Sequence, residues 1–212
     1  MPKIIGGSLH EHREQTRLKL FAALADLMNE RGFDAITLAD IASAAGIGRT
    51  AVYNHFADKE AMLLGFIMHE TEQYVGALER ELDGIDDPTE KLRTYIRAQS
   101  RLKREYHLVS GADLRSVLSR GTQQRVREHV IMLEQVLRRI LAAGMDSGAF
   151  PTQDLGTTVA LVNACLTRTL PPEDPARQQA IESTVVFVLR AVGADPDAGA
   201  VPAESEAVPA VA

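Results

Sequence analysis

Apolar residues recur along this chain three and four positions apart and nowhere in sustained alternation, so the pattern predicts helices throughout and no strand. Leu20, Phe21, Leu24, Leu27 and Met28 line one face of a first helix that begins near Arg13 and stops at Gly32. The next stretch, TLADIASAAGIGRTAVYNHF (37–56), carries two short helices with chemically explicit boundaries. Thr37 is placed to accept from the backbone N–H of Asp40 while Asp40 reaches back, a capping box, and Ile36 and Ile41 occupy the two positions of a hydrophobic staple. Gly46 supplies the left-handed residue that ends the first helix after Leu38, Ile41, Ala42 and Ala45 have formed one stripe. Gly48 caps a second helix from Arg49 to His55, whose Val52 and Phe56 point inward and leave Arg49, Thr50, Asn54 and His55 outside.

Asp58 caps a long helix from Lys59 toward Asp83, closed by Gly84 and roughly 37 Å long at the helical rise. Asp87, Pro88 and Glu90 stand at N-cap, N1 and N3 of the next, which carries Leu92, Tyr95, Ile96, Gln99, Leu102 and Tyr106 inward. A short helix is expected over 112–119, and after Gly121 and Thr122 a long one runs through Val126, Val130, Leu133, Leu137 and Ile140 to Gly144. A helix near 153–168 follows, then a proline-rich loop with Asp174 as cap and Pro175 at N1 of the last helix. That helix carries Ile181, Val185, Val188, Leu189 and Val192 with Val186 and Phe187 besides, more than one stripe needs, so part of it is expected to meet a second subunit. The division predicted is a flexible arm (1–12), a three-helix head (13–58), a helical body (59–192) and a disordered tail (193–212), all of it all-α.

Composition narrows the classes. With 212 residues, 45% hydrophobic and 25% charged, the chain has the balance of an ordinary globular protein, and no stretch offers 18 apolar residues without charge. The start MPKIIGGSLHEHREQ lacks the apolar core of a signal peptide, so a cytoplasmic protein with no membrane partner is expected. The single cysteine, Cys165, leaves no intramolecular disulfide and reads as a small buried residue. A net charge of −6 runs against a nucleic-acid binder, yet Arg13, Arg17, Lys19, Arg49 and Lys59 gather in the amino-terminal third.

Searches for catalytic chemistry are negative. AGIGRT has Ser43 and Arg49 where a phosphate-binding loop needs Gly and Lys, His69 to Gln73 lacks the second histidine of a zinc-protease helix, and no G-x-S-x-G occurs. No metal site and no cofactor is expected, and His69, His107 and His129 read as structural or surface residues.

A capped helix, a glycine turn and a second helix bearing hydrogen-bonding groups make a helix-turn-helix, in which Arg49 suits bidentate bonds to guanine and Thr50 a thymine methyl or a phosphate. Tyr53, Asn54, His55 and Lys59 suit phosphates, Tyr53 with a share of core packing, and the helix start at Thr37 offers backbone N–H groups to another. The run GIGRTAVYNHFADKEAML with the upstream FDAITLADIASAAG resembles the DNA-binding head of the tetracycline-repressor (TetR) family, over roughly residues 13–65. Where that family often has Ser before the recognition helix, this chain has Gly48, which brings no hydroxyl to the DNA face. The resemblance implies a homodimer, joined through the last two helices, that binds a palindromic operator in double-stranded DNA. It also implies a repressor released by a small-molecule effector held in the body. Phe66, Tyr95, Gln99, Met132, Asn163 and Cys165 are the effector-site candidates, each with a core-packing alternative. The rival reading is a carrier or enzyme that uses the body cavity, with a purely structural head.

Overall fold

The computed structural model describes residues 6–106 and 118–196. Among these the secondary structure is helical, in the order α1 (Gly6–Glu30), a single 3-10 turn (Phe33–Ala35), α2 (Leu38–Ala44), α3 (Arg49–Tyr53), α4 (Lys59–Leu82), α5 (Pro88–Glu105), α6 (Arg120–Asp146), α7 (Leu155–Leu166) and α8 (Ala176–Ala191). Most of the helix expected over 112–119, the first five residues of the arm and tail residues 197–212 lie outside the described residues.

Two compact units emerge, one from Met1–Tyr74 with Glu105–Met132, the other from Val75–Arg104 with Leu133–Ala212. The first part of α4 thus belongs to the unit that holds α1 to α3, and the rest of it, from Val75, to the other. Met62, Leu63, Phe66 and Ile67 of α4, together with Leu118 and Val126, join the same buried cluster as Leu20, Phe21, Leu24, Phe33, Ile36, Ile41 and Val52. One long helix and two short ones offer too little apolar surface to close a core, and the first half of α4 supplies the missing side. Phe21 lies at its centre, 5.6 Å from the Phe56 ring and 5.9 Å from that of Phe66.

In the second unit, Leu78, Leu92, Tyr95, Ile96, Leu137, Leu141, Phe150, Val159, Val185 and Val188 are buried. Polar clamps tie its helices. Arg97 of α5 makes a two-pronged bond to Glu182 of α8, at 2.9 and 2.7 Å, and Lys103 donates to the Leu166 carbonyl at the end of α7, 2.9 Å away.

Several boundaries differ from those read in the sequence. Helix α1 begins at Gly6, inside the expected arm; from Ser8 onward no residue opposes a helix, and two glycines at a helix end cost little. Gly144 does not stop α6 but lies within it, where it makes room for the Phe150 ring, which a Cβ would meet at 2.1 Å; the stop is Gly148, at φ +77°. Helix α6 starts before Gly121, since Ser119 caps it by accepting from the Thr122 N–H. Pro175, not Asp174, is the N-cap of α8. The tail's first residues are packed rather than loose: the Gly193 N–H bonds the Arg190 carbonyl and that of Ala194 the Leu189 carbonyl, closing α8, and Arg93 donates to the Pro196 carbonyl at 2.6 Å.

Candidate nucleic-acid interface

The capping box at α2 is complete. The Asp40 N–H donates to the Thr37 hydroxyl at 3.1 Å, and the Thr37 N–H to the Asp40 carboxylate at 2.9 Å. The bond from the Thr37 N–H, with a second from the Thr37 hydroxyl at 2.9 Å, holds the Asp40 carboxyl below the usual carboxylate range. Ile36 and Ile41, the staple pair, are both buried in the head cluster. At the far end Gly46 takes φ +66°, and the Ile47 N–H bonds the Ala42 carbonyl at 2.9 Å while the Gly46 N–H bonds that of Ser43. This six-to-one closure turns the chain into α3 and requires glycine at 46. Gly48 needs no such freedom: its φ of −59° suits any residue and a Cβ would meet nothing within 4 Å.

On α3 only Val52 is buried. Arg49, Thr50, Tyr53 and Asn54 are exposed, Tyr53 by 52%, so its core-packing alternative does not hold. Among the described residues none of these four makes a side-chain hydrogen bond to another protein group, which leaves their donors directed to solvent. His55 is half-buried beside Phe56, at 6.4 Å between rings. Burial, aided by Arg13 and Arg17, keeps its imidazole below the ordinary histidine range, so at neutral pH it is an uncharged donor.

Lys59 departs from its expected phosphate role. Its ammonium donates to the Phe33 carbonyl at 3.0 Å and the Asp34 carbonyl at 3.3 Å, and lies 4.5 Å from the Phe33 ring centre. Two of its three donors thus fasten α4 to the turn that precedes α2. The neighbouring Glu60 reaches the other way, its carboxylate accepting from the Ser119 hydroxyl and the Thr122 hydroxyl, both at 2.7 Å. This junction was missed because its partners lie far away in sequence; Ser119 with Thr122 three residues on was the one visible cue, a cap signature. Arg17 is likewise engaged, with Glu14 at 2.9 Å and over the Phe21 ring, whereas Arg13 and Lys19 are exposed.

The six effector-site candidates fall in both units, two in the first and four in the second. Phe66 belongs to the head core and borders a cleft of about 380 Å³ between α1 and α4, and Met132 is 47% exposed. In the other unit Tyr95 and Gln99 form a buried pair at 3.3 Å, and burial pushes the Tyr95 phenol up. Asn163 and Cys165 are half-buried on α7, Cys165 beside a groove of about 280 Å³ shared with Thr184 and Phe187. A larger cleft of about 530 Å³ in this unit is lined by Leu82, Pro88, Val136 and Ile140 under a rim that includes the Glu79–Arg139 pair, 2.6 Å apart. Among the described residues no three His, Cys, Asp or Glu side chains gather as metal ligands, and no helix is long and apolar enough to cross a membrane.

Residues 20–65 match the family described as bacterial regulatory proteins, tetR family, and residues 88–183 match the tetracyclin repressor-like C-terminal domain. The chain is 25% identical over 147 residues to an uncharacterized HTH-type transcriptional regulator, Rv0472c, of Mycobacterium tuberculosis (strain ATCC 25618 / H37Rv), covering 66% of this chain and 61% of that one. It is 25% identical to the HTH-type transcriptional repressor Rv1474c of the same strain over 90% of this chain and 99% of the relative. The crystal structure of the TetR family regulator PfmR from Thermus thermophilus superposes with a TM-score of 0.65 at 27% identity, over 82% of this chain and 97% of that one. With both of its units matched and the helix-turn-helix in place, the chain belongs to the TetR family of helix-turn-helix transcriptional regulators.

Proposed function

We propose that this chain is a ligand-responsive repressor that binds a palindromic operator as a homodimer. The observation that carries the reading is α3 itself: a helix positioned by a rigid glycine turn, anchored by Val52 alone, with Arg49, Thr50, Tyr53 and Asn54 turned outward. Arg49 reads guanine in the major groove; Tyr53, Asn54 and the neutral His55 hold phosphates, as do the backbone N–H groups at the start of α2. The dimer forms through α7 and α8, where Leu161 is 63% and Phe187 60% exposed, an apolar surface that a lone chain would leave in water. Two heads then read half-sites about 34 Å apart.

The body cleft of about 530 Å³ has the size and apolar floor of a small-molecule site. A ligand there favours one pose of α4 and changes the separation of the heads; a hundredfold loss of operator affinity corresponds to about 2.7 kcal/mol of differential binding. The name repressor, borne by the relative matched over nearly its full length, supports repression over activation.

The test has two arms. Selection from a random duplex library should return a palindrome, and Phe187→Glu should give a monomer by sedimentation that no longer binds that palindrome tightly. A single unpaired half-site, or a wild-type chain that sediments as a monomer on the duplex, would refute the reading.

A further inference from the structure

Glu60 does more than close a turn. Its carboxylate accepts from the backbone N–H and the hydroxyl of Ser119 and from the hydroxyl of Thr122, which fixes the first turn of α6 against the first turn of α4. That turn of α4 follows directly on α3, and its Lys59 is bonded to the turn that leads into α2. The start of α6 is therefore held to the same corner of the head as both helices of the reading motif, and Val126, one turn further on, is buried in the head core.

What this places there is positive charge. In a chain of net charge −6, the nine residues from Ser119 to Arg127 contain Arg120, Arg125 and Arg127 and no carboxylate. All three arginines are exposed. Among the described residues none is in an ion pair, and Arg127 bonds only to the Gln124 amide, at 3.2 Å. Helical geometry sorts them: with Ser119, Thr122 and Val126 facing the head, Arg120 and Arg127, seven apart, fall on one flank and Arg125 on the other.

The geometry points to a second phosphate-contacting segment outside the helix-turn-helix: the Arg120 and Arg127 flank of α6 grips the DNA backbone beside the site read by α3. The occupant is duplex phosphate, chosen by charge and by continuity with the proposed reading face, and the inference rests on that reading. Guanidinium groups held on a helix contact phosphates without reading bases, so they add affinity to every sequence alike.

The experiment measures binding of the full-length chain to two duplexes, one selected from a random library by the wild-type protein and one scrambled, between 50 and 200 mM salt. Each phosphate contact contributes about 0.9 to the slope of log affinity against log salt, so Arg120→Gln with Arg127→Gln should flatten the slope by about 3.6 for a dimer, on both duplexes. Arg120→Lys with Arg127→Lys should restore it, and Arg125→Gln should leave it unchanged. A double Gln variant with the wild-type slope, or an equal effect from Arg125→Gln, overturns the inference while the α3 reading stands. Failure of the wild-type chain to bind either duplex removes the reading itself.

Discussion

Lys59 separates two accounts of the same residue, so Lys59→Met is the informative change. Methionine keeps an apolar stem of similar length over the Phe33 ring but removes the ammonium, and with it the bonds to the Phe33 and Asp34 carbonyls at 3.0 and 3.3 Å. A hydrogen bond from a charged donor contributes about 1.5–3 kcal/mol when sheltered and less when wet. Here one acceptor is part-buried and the other exposed, which places the pair near 2 kcal/mol, and the cation over an aromatic face adds about 0.5 kcal/mol. The loss should therefore be about 2–3 kcal/mol in urea unfolding followed by circular dichroism, with the salt slope of DNA binding unchanged. A phosphate role would give the reverse: near-native stability, and a slope reduced by about 0.9 for each head. That pattern would refute the structural clamp and restore the assignment made from sequence.

Gly48→Ser should be favourable, since its backbone is compatible and a Cβ has open space; a hydroxyl at the N-cap of α3 should add up to about 0.5 kcal/mol to the head and tighten DNA binding, measured by unfolding and titration in parallel. His55 gives a pH signature. Its pKa is depressed on folding, so the unfolded chain takes up the proton first as pH falls; the stability it contributes is intact above about 6.5 and is lost as pH drops through the lower folded value. His55→Gln should remove that component from a stability profile run from pH 8 to 5.

The sequence was legible where local chemistry is self-contained. Thr37 with Asp40, Gly46, and Asp87 before Pro88 each act over a few residues, and each stands in the structure as read. The outward set on α3 was legible for a related reason: with Val52 and Phe56 as the two inward apolar residues, both buried in the structure, Arg49, Thr50 and Asn54 are left outside. Illegible were the partners brought from far along the chain. Nothing local tells Lys59 to turn back to Phe33 rather than outward, and a glycine such as Gly144 reads equally well as a stop or as a notch for a ring. The effector site was not legible for a further reason: helical periodicity says which residues point inward but not whether the interior is filled. Phe66 and Tyr95 point inward and are packed.

The most direct test compares Arg49→Ala with the wild-type chain on the selected duplex and on its scrambled counterpart at one salt concentration. Base reading by Arg49 predicts a loss of about 1–3 kcal/mol per head on the selected duplex, and a much smaller one on the scrambled duplex. Equal losses on both, or no loss on either, would contradict the claim that α3 reads DNA through Arg49.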